Sequence, residues 1–187
     1  CLVGSEMCIR DRAQVTAFQV RKDLSYFGSY GTRGVGYTVQ VLRRELRQIL
    51  GLNRRWGLCI VGMGRLGQAI ADYPGFSEIF ELRGLFDRDP AKFGLSFHGL
   101  SVESVENLPR AVAERRIDFG LLAVPADSAQ AVANRLVESG IKGILNFAPA
   151  VLEVPKEVAV ENVDFLAGLS RLSFFVLNPK WREEMIG

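Results

Sequence analysis

The chain has 187 residues, of which 48% are hydrophobic and 24% charged, values typical of a globular protein with one large domain or one domain and a small partner. No apolar run is long enough to cross a bilayer, so we expect a cytoplasmic protein without a membrane partner. Three cysteines make no disulfide framework, and one histidine without a cysteine cluster gives no support to a metal site.

Positive charge is concentrated near the amino terminus. Residues 13–55 contain eight Lys and Arg against two acidic residues, whereas residues 56–150 contain nine against eleven and residues 151–187 four against six. A basic segment on a mildly acidic body suggests a polyanion such as nucleic acid as partner, with a solvated helix face as the alternative.

The first twelve residues, CLVGSEMCIRDR, differ in character from the rest of the chain. They lack a positive segment followed by an apolar core, so they do not form a signal peptide. We expect residues 1–12 to be an extraneous leader, similar to a translated adapter, and leave them out of the fold prediction.

A basic helix and a glycine-rich hairpin follow the leader. Residues 13–24 are predicted to be helical, with Thr16 as the N-cap and Arg21 and Lys22 facing outward. Residues 25–37 contain four glycines and three tyrosines around Arg33, a composition typical of a hairpin. This is the order of a DNA recognition helix and its wing, but both elements could also simply pack on the next domain.

Residues 39–50 are predicted to form an amphipathic helix that Gly51 ends, and residues 53–55 form a short linker. The linker leads into the most informative stretch of the chain, LCIVGMGRLG, which reads as an apolar strand over residues 58–61 and then a helix. Between them lies a Gly-x-Gly-x-x-Gly motif, whose residues are Gly62, Gly64 and Gly67.

Each glycine of this motif has a separate physical role in a dinucleotide site. The first permits a tight turn, the second lets the backbone approach a pyrophosphate, and the third lets helix and strand pack closely. The phosphates are expected at the helix N-terminus. A second apolar run over residues 82–86 ends in Asp87, which is placed to accept a hydrogen bond from a ribose 2′-hydroxyl and therefore favours NAD(H) over NADP(H). The alternative is a structural turn followed by an ordinary acidic loop.

The remaining chain alternates strands and helices, which predicts an α/β fold with a parallel, doubly wound sheet. Ligands bind such sheets at the carboxyl ends of the strands, which places residues 124–126 and 146–149 beside the Gly62 loop. The predicted elements are a short strand within 97–102, a helix over 106–116, a strand over 119–124, a helix over 128–139, and strands over 143–147 and 158–160.

The last predicted helix, over residues 164–177, is apolar nearly all round. A helix of this kind needs cover on several sides. A partner subunit could provide it, which would predict a dimer, or the helix could fold back on its own sheet.

Six sequence segments together resemble a known family: QVRKDLSYFGSYGTRGVGY, IVGMGRLGQAIADYPGF, FDRDP, AVPADSAQ, GIKGILNFAP and VENVDF. From residue 13 to the end, the chain resembles the redox-sensing transcriptional repressor Rex. The resemblance implies a partial winged-helix DNA-binding domain at 13–53, a Rossmann NAD(H)-binding domain at 54–161, and a C-terminal dimerisation helix at 162–187 that is swapped onto the partner of a homodimer.

The resemblance also implies roles for individual residues. Recognition helix and wing would contact operator DNA through Gln19, Arg21, Lys22, Arg33 and Gly34. The partner's Asp164 and Phe165 would approach the nicotinamide. The cofactor-binding set comprises Gly62, Met63, Gly64, Arg65, Leu66, Gly67, Tyr73, Asp87, Val124, Pro125, Ala126, Asn146, Phe147, Ala148, Asp164 and Phe165.

The function implied is that of a repressor that senses the NADH/NAD⁺ ratio, binds operator DNA as a homodimer and is released by NADH. The resemblance also implies further helices before the recognition helix, so we expect the domain at 13–53 to be partial and do not expect it to bind operator DNA by itself. The alternatives are a small NAD-dependent oxidoreductase and a coenzyme A- or nucleotide-binding module. The first is disfavoured because the sequence has no Tyr-x-x-x-Lys pair and only one histidine, His98, and we expect no catalytic residues.

Overall fold

The computed structural model describes residues 16–26, 28, 39–76, 79–179 and 181. The chain divides into two compact units, one made of Cys1–Asn53 and Leu166–Gly187, the other of Arg54–Phe165. The predicted leader and most of the predicted hairpin, including Arg33 and Gly34, lie outside the described residues.

Two helices are described in the amino-terminal part of the first unit. Helix α1 spans Ala17–Ser25, and the Thr16 hydroxyl oxygen accepts a hydrogen bond from the Gln19 backbone N–H at 3.1 Å, which is the predicted N-cap. Helix α2 spans Val39–Ile49 and buries Leu42. Gly51, two residues after its end, has a φ of 65°, which glycine adopts easily.

The second unit contains a seven-stranded sheet. The strands are β1 Trp56–Val61, β2 Phe80–Asp87, β3 Ser96–Phe97, β4 Leu100–Ser104, β5 Ile117–Leu122, β6 Gly143–Asn146 and β7 Ala159–Asn162. Their order in the sheet is β3-β4-β2-β1-β5-β6-β7, and every neighbouring pair is parallel except β3 and β4. The α/β class and the largely parallel sheet are therefore confirmed, with β1 at the centre.

Helices cover the two faces of this sheet unequally. Helices α4 Leu108–Arg115 and α5 Ala126–Glu138 cover the face that carries Cys59 and Val61, where Leu136 is fully buried. Helix α3 Arg65–Ala71 covers part of the opposite face, which carries Leu58 and Ile60. Successive β1 side chains thus alternate between two cores, as the period of a strand requires, and both faces are apolar because the sheet is doubly wound.

Some predicted boundaries were wrong for local reasons. The single strand expected within residues 97–102 is two short antiparallel strands, because His98 and Gly99 form a turn with positive φ angles of 51° and 79°. The helix expected from residue 106 begins as a 3₁₀ turn, Val105–Asn107, and becomes α-helical at Leu108, just before Pro109. Proline fits there because the first turn of a helix needs no N–H donor.

The last described helix, α6, spans Phe165–Leu177 and has no buried residue. Its apolar side chains are exposed, and Leu166, Val176 and Leu177 are each exposed by more than 70%. Among the residues that the structure describes, no helix is long and apolar enough to cross a membrane.

Candidate functional site: a nucleotide cleft at the carboxyl edge of the sheet

The centre of the site is the turn where β1 ends. Gly62 follows Val61 with φ 98°, and its N–H donates to the Phe86 carbonyl of β2 at 2.8 Å. A Cβ atom at Gly62 would overlap the Ala123 carbonyl oxygen and would lie 2.8 Å from Cγ1 of Val124. Both the left-handed backbone and the close neighbours therefore require glycine at this position.

The other two glycines differ in their surroundings. A Cβ at Gly67 would collide with the Gly62 carbonyl oxygen, so glycine here allows α3 to pack against the turn. A Cβ at Gly64 would meet no protein atom within 4 Å. Gly64 therefore borders open space, at the position where the motif predicts a bound pyrophosphate.

Asp87 stands at the end of β2, next to this turn, and is 5% exposed. Its Oδ2 accepts hydrogen bonds from the Met63 N–H and from Lys92 Nζ, both at 2.7 Å, and its Oδ1 accepts one from the Asp89 N–H at 2.9 Å. Burial would raise the pKa of Asp87, but the hydrogen bonds and the charge of Lys92 outweigh it and lower the pKa below its ordinary value. The carboxylate is thus held ionised and oriented.

A cavity of about 330 Å³ joins these elements. This is within the range of small-molecule sites. Four of its polar lining residues were not predicted from the sequence: Arg88, Asp89, Lys92 and Ser128. The Arg88 guanidinium donates to the Ser128 hydroxyl at 3.2 Å. The cavity is lined by Val61, Gly62, Gly64, Asp87, Arg88, Asp89, Lys92, Val105, Ala123, Val124, Pro125, Ser128 and Val132.

A signal for Lys92 was present in the sequence. It lies five residues after Asp87, and Asp89-Pro90 starts a 3₁₀ turn, Pro90–Lys92, in between. The Asp89 carboxylate caps this turn by accepting from the Ala91 N–H at 3.0 Å. The turn brings Lys92 back to Asp87, whereas Ser128 comes from a distant helix that only the fold brings near.

Five sequence-predicted residues of the cleft come from the ends of β1, β2 and β5. Gly62 and Gly64 line the cavity with Asp87, and Val124 and Pro125 close its β5 side. Met63 is fully buried below it and contributes its backbone N–H to Asp87. Arg65 and Leu66 lie exposed in the first turn of α3, and Ala126 begins α5.

Asn146 is the last residue of β6, and Phe147 and Ala148 follow it, on the far side of β5 from the cavity. Asn146 is 1% exposed, and all of its side-chain polar atoms are used within the protein. The Phe147 N–H donates to the Leu122 carbonyl at 2.9 Å, which ties this segment to the end of β5.

Other predicted site residues lie apart from the cavity. Tyr73 is 61% exposed and packs edge-on against Phe76 at a centroid distance of 5.9 Å. It borders an apolar groove of about 540 Å³ on the sheet face that α3 covers in part, where Leu58, Phe119 and Leu121 are also found. Asp164 and Phe165 are exposed at the start of α6.

The predicted DNA-contacting residues belong to the first unit. Gln19 donates through its side chain to the Asp23 carboxylate at 2.6 Å, and Lys22 is exposed on α1. The backbone of Arg21 is helical, while its side chain is outside the described set, as are Arg33 and Gly34. No group of His, Cys, Asp and Glu suited to a metal ion occurs within the described part of the chain.

Comparison with known proteins identifies the family. The sequence matches the family model described as CoA binding domain over residues 53–150. It is 74% identical over 175 residues to the redox-sensing transcriptional repressor Rex of Thermus thermophilus, an alignment that covers 94% of this chain and 82% of that protein. The chain belongs to the Rex family.

Solved Rex structures agree with this assignment. RSP, a Rex-family repressor, in complex with β-NAD⁺ and operator DNA, has a TM-score of 0.86 and 40% identity, covering 97% of this chain and 84% of RSP. RSP in complex with β-NADH has a TM-score of 0.80 and 39% identity, and the match covers 98% of this chain and 85% of RSP. The predicted resemblance to Rex is confirmed.

Proposed function

We propose that this chain is a repressor that senses the NADH/NAD⁺ ratio and binds operator DNA when NADH is scarce. The observation that carries the proposal is the cleft of Gly62, Gly64 and Asp87 in a chain that is 74% identical to a Rex repressor. RSP, at 40% identity, has been solved with β-NAD⁺ and operator DNA, and also with β-NADH. Like its Rex relatives, the chain is a transcriptional repressor and not an enzyme.

The cleft supports one orientation of the dinucleotide. Asp87 is an oriented, ionised acceptor for the hydroxyls of the adenosine ribose. The open space at Gly64 receives the pyrophosphate, which the backbone of the loop from Gly62 to Gly67 contacts. The strand order β2-β1-β5-β6 then directs the nicotinamide towards the ends of β5 and β6, where Pro125 and Ala148 lie.

Two further residues, Asp164 and Phe165, would come from the partner subunit and complete the nicotinamide side. NAD⁺ and NADH differ by a charge on one ring, so the surroundings of that ring must discriminate between them. Apolar neighbours such as Phe165 and Ala148 favour the neutral NADH ring, because a buried pyridinium without a close partner is costly.

Redox sensing requires that NADH and DNA prefer different states of the protein. If NADH favours a closed dimer and operator DNA an open one, the two ligands are linked through that equilibrium, and each must weaken the other by the same factor. A sensor with a 100-fold response needs about 2.7 kcal/mol of differential binding. The operator would be a palindrome whose half-sites match two recognition helices.

The DNA-facing part is proposed to be the winged-helix segment of residues 13–53. Helix α1 would present Gln19, Arg21 and Lys22 to the major groove, and Arg33 and Gly34 would form the wing. The exposed Lys22 and the basic character of residues 13–55 support this role. Because a repressor acts on DNA inside the cell, we propose that this one works in the cytoplasm.

We propose a homodimer because two apolar surfaces are exposed in the single chain. Helix α6 is apolar with no buried residue, and the second unit carries an open apolar groove around Phe119 and Leu121. Covering either surface with a partner removes apolar area from water, at about 25 cal/mol per Å². We propose residues 162–187 as the dimerisation segment, with α6 swapped onto the partner.

The alternatives receive less support from the described residues. His98, a candidate proton donor for an oxidoreductase, lies at the β3–β4 turn and pairs with Asp72 at 2.8 Å, away from the cleft. Lys142 stands before β6, at the opposite edge of the sheet from the cleft, and lies 3.7 Å from Asp118. A coenzyme A module would leave the ribose-binding carboxylate of Asp87 unexplained, since coenzyme A carries a phosphate on its adenosine ribose.

The decisive experiment is a titration of this chain with NADH and NADPH, followed by nicotinamide fluorescence, with NAD⁺ and coenzyme A as competitors. We expect tight NADH, weaker NAD⁺ and poor NADPH and coenzyme A binding. Equal affinity for NADH and NAD⁺ would contradict the sensing function, because a pair of ligands that bind equally cannot report a ratio. Effective competition by coenzyme A would favour the nucleotide-binding module instead.

A further inference from the structure

Asn146 is the most fully bonded polar side chain near the expected nicotinamide position. It stands at the carboxyl end of β6 and is 1% exposed. Its Nδ2 donates to the Ala150 carbonyl and to Oδ1 of Asn162, both at 2.9 Å, and its Oδ1 accepts from the Ala148 N–H at 3.0 Å. An amide has two donors and one acceptor oxygen, so both of its hydrogens are already used.

This bonding pattern differs from that of a ligand-binding amide. Asn146 was predicted from the resemblance to be a cofactor contact, but a contact by its NH₂ group would require one of two part-buried hydrogen bonds to break, the bond to the Ala150 carbonyl or the bond to Asn162. Losing either bond removes part of the hydrogen bonding that holds this segment together, which is costly. The side chain is therefore suited to shaping the loop over residues 147–150, which contains Ala148.

The same residue also connects this loop to the next strand. Asn146 pairs with Asn162 in the parallel β6–β7 ladder, and its backbone carbonyl accepts from the Val163 N–H at 2.8 Å. Asn162 is the last residue of β7, and two residues later the chain reaches Asp164 and helix α6. One buried side chain thus supports both the loop after β6 and the segment that enters the C-terminal helix.

We propose that Asn146 and Asn162 form an amide bridge that positions the 147–150 loop for the nicotinamide half of the dinucleotide without contacting the ligand. The inference rests on the proposed dinucleotide function. The adenosine half, held at Asp87 on the other side of β1, does not depend on the bridge. Loss of the bridge should therefore weaken ligands that carry nicotinamide and spare those that do not.

The test compares NADH with ADP-ribose, which has the same adenosine and pyrophosphate groups but no nicotinamide. Asn162→Leu keeps the branched shape of an exposed side chain and removes the acceptor for Asn146 Nδ2. We expect the Kd for NADH to rise about 10-fold, equal to about 1.4 kcal/mol, with the Kd for ADP-ribose within twofold of wild type. Fluorescence reports NADH, and competition reports ADP-ribose.

Two further variants make the result specific. Asn162→Asp restores an acceptor oxygen for Asn146 and should bring the NADH affinity back to within threefold of wild type. Asn134→Leu makes the same chemical change on the exposed face of α5, where Oδ1 of Asn134 accepts from Gln130 Nε2 at 2.7 Å. It should leave the affinities for both ligands unchanged.

Each alternative outcome has a distinct meaning. Equal weakening of NADH and ADP-ribose in Asn162→Leu would show a general loss of structure and overturn the positioning role, as would unchanged NADH affinity or failure of Asn162→Asp to rescue. Equal NADH and NAD⁺ affinities in wild type would contradict the sensing function but not the amide bridge, because the comparison of NADH with ADP-ribose does not depend on that ratio. A wild-type chain that binds neither NADH nor ADP-ribose would overturn both proposals.

Discussion

Replacing Asp87 by alanine removes the carboxylate that we propose as the acceptor for the adenosine ribose. A hydrogen bond to a charged acceptor contributes about 1.5–3 kcal/mol, so losing one ribose bond corresponds to a 10- to 150-fold weaker affinity. We therefore expect Asp87→Ala to raise the Kd for NADH by at least about 10-fold, measured by nicotinamide fluorescence. Discrimination against NADPH should also decrease, because the charge that repels a 2′-phosphate is gone.

The same substitution should lower the stability of the ligand-free protein. Met63 is fully buried, and in Asp87→Ala its N–H would lose the acceptor that lies at 2.7 Å. A buried donor without a partner costs about 1–3 kcal/mol, whereas Lys92 is partly exposed and can return to water. Urea denaturation would measure the loss, with Asp72→Ala as the control, since Asp72 is an exposed carboxylate outside the cleft.

Acid should have a related effect on wild type. Because the folded-state pKa of Asp87 lies below its ordinary value of 3.8, its contribution to stability is present above that value and is lost as the pH falls through the folded pKa. The Asp87→Ala protein should therefore lose less stability than wild type below about pH 4. If Asp87→Ala binds NADH as tightly as wild type, Asp87 does not contact the ribose. If both proteins lose stability equally as the pH falls, the hydrogen bonds of Asp87 do not stabilise the fold.

Three other substitutions test separate parts of the structure. Gly62→Ala should weaken NADH and lower the unfolding midpoint, because the added Cβ meets the Ala123 carbonyl and the φ of 98° is strained; wild-type behaviour of both would contradict the geometry of the turn. In a chain lengthened to match its Rex relative, of which it covers 82%, Lys22→Ala should weaken operator binding and reduce its salt slope by about 0.9, while NADH affinity is unchanged. Lys142→Ala is the control. An unaltered salt slope would contradict a contact between Lys22 and the DNA phosphates. Truncation before Asp164 should yield monomers by light scattering, and dimers that persist would refute the swapped helix.

Local sequence signals were sufficient for the centre of the site. The Gly-x-Gly-x-x-Gly motif predicted the turn after β1, and the structure gives a steric reason for Gly62 and Gly67 and an open space at Gly64. The N-cap at Thr16 was equally predictable, because it involves a hydroxyl and an N–H only three residues apart. Errors occurred where the signal was weak, as at the His98 turn, whose non-glycine residue adopts a positive φ.

The sequence by itself determined the α/β class, the order of strands and helices, and the family, because these depend on periodicity, turn residues and long matching strings. Only the tertiary structure decided which distant groups meet. It placed Lys92 and the Met63 N–H on Asp87, and it joined Asn146 to Asn162 across two parallel strands. Such contacts depend on strand register and on the competition of several donors for one buried acceptor, and neither is a property of any local stretch of residues.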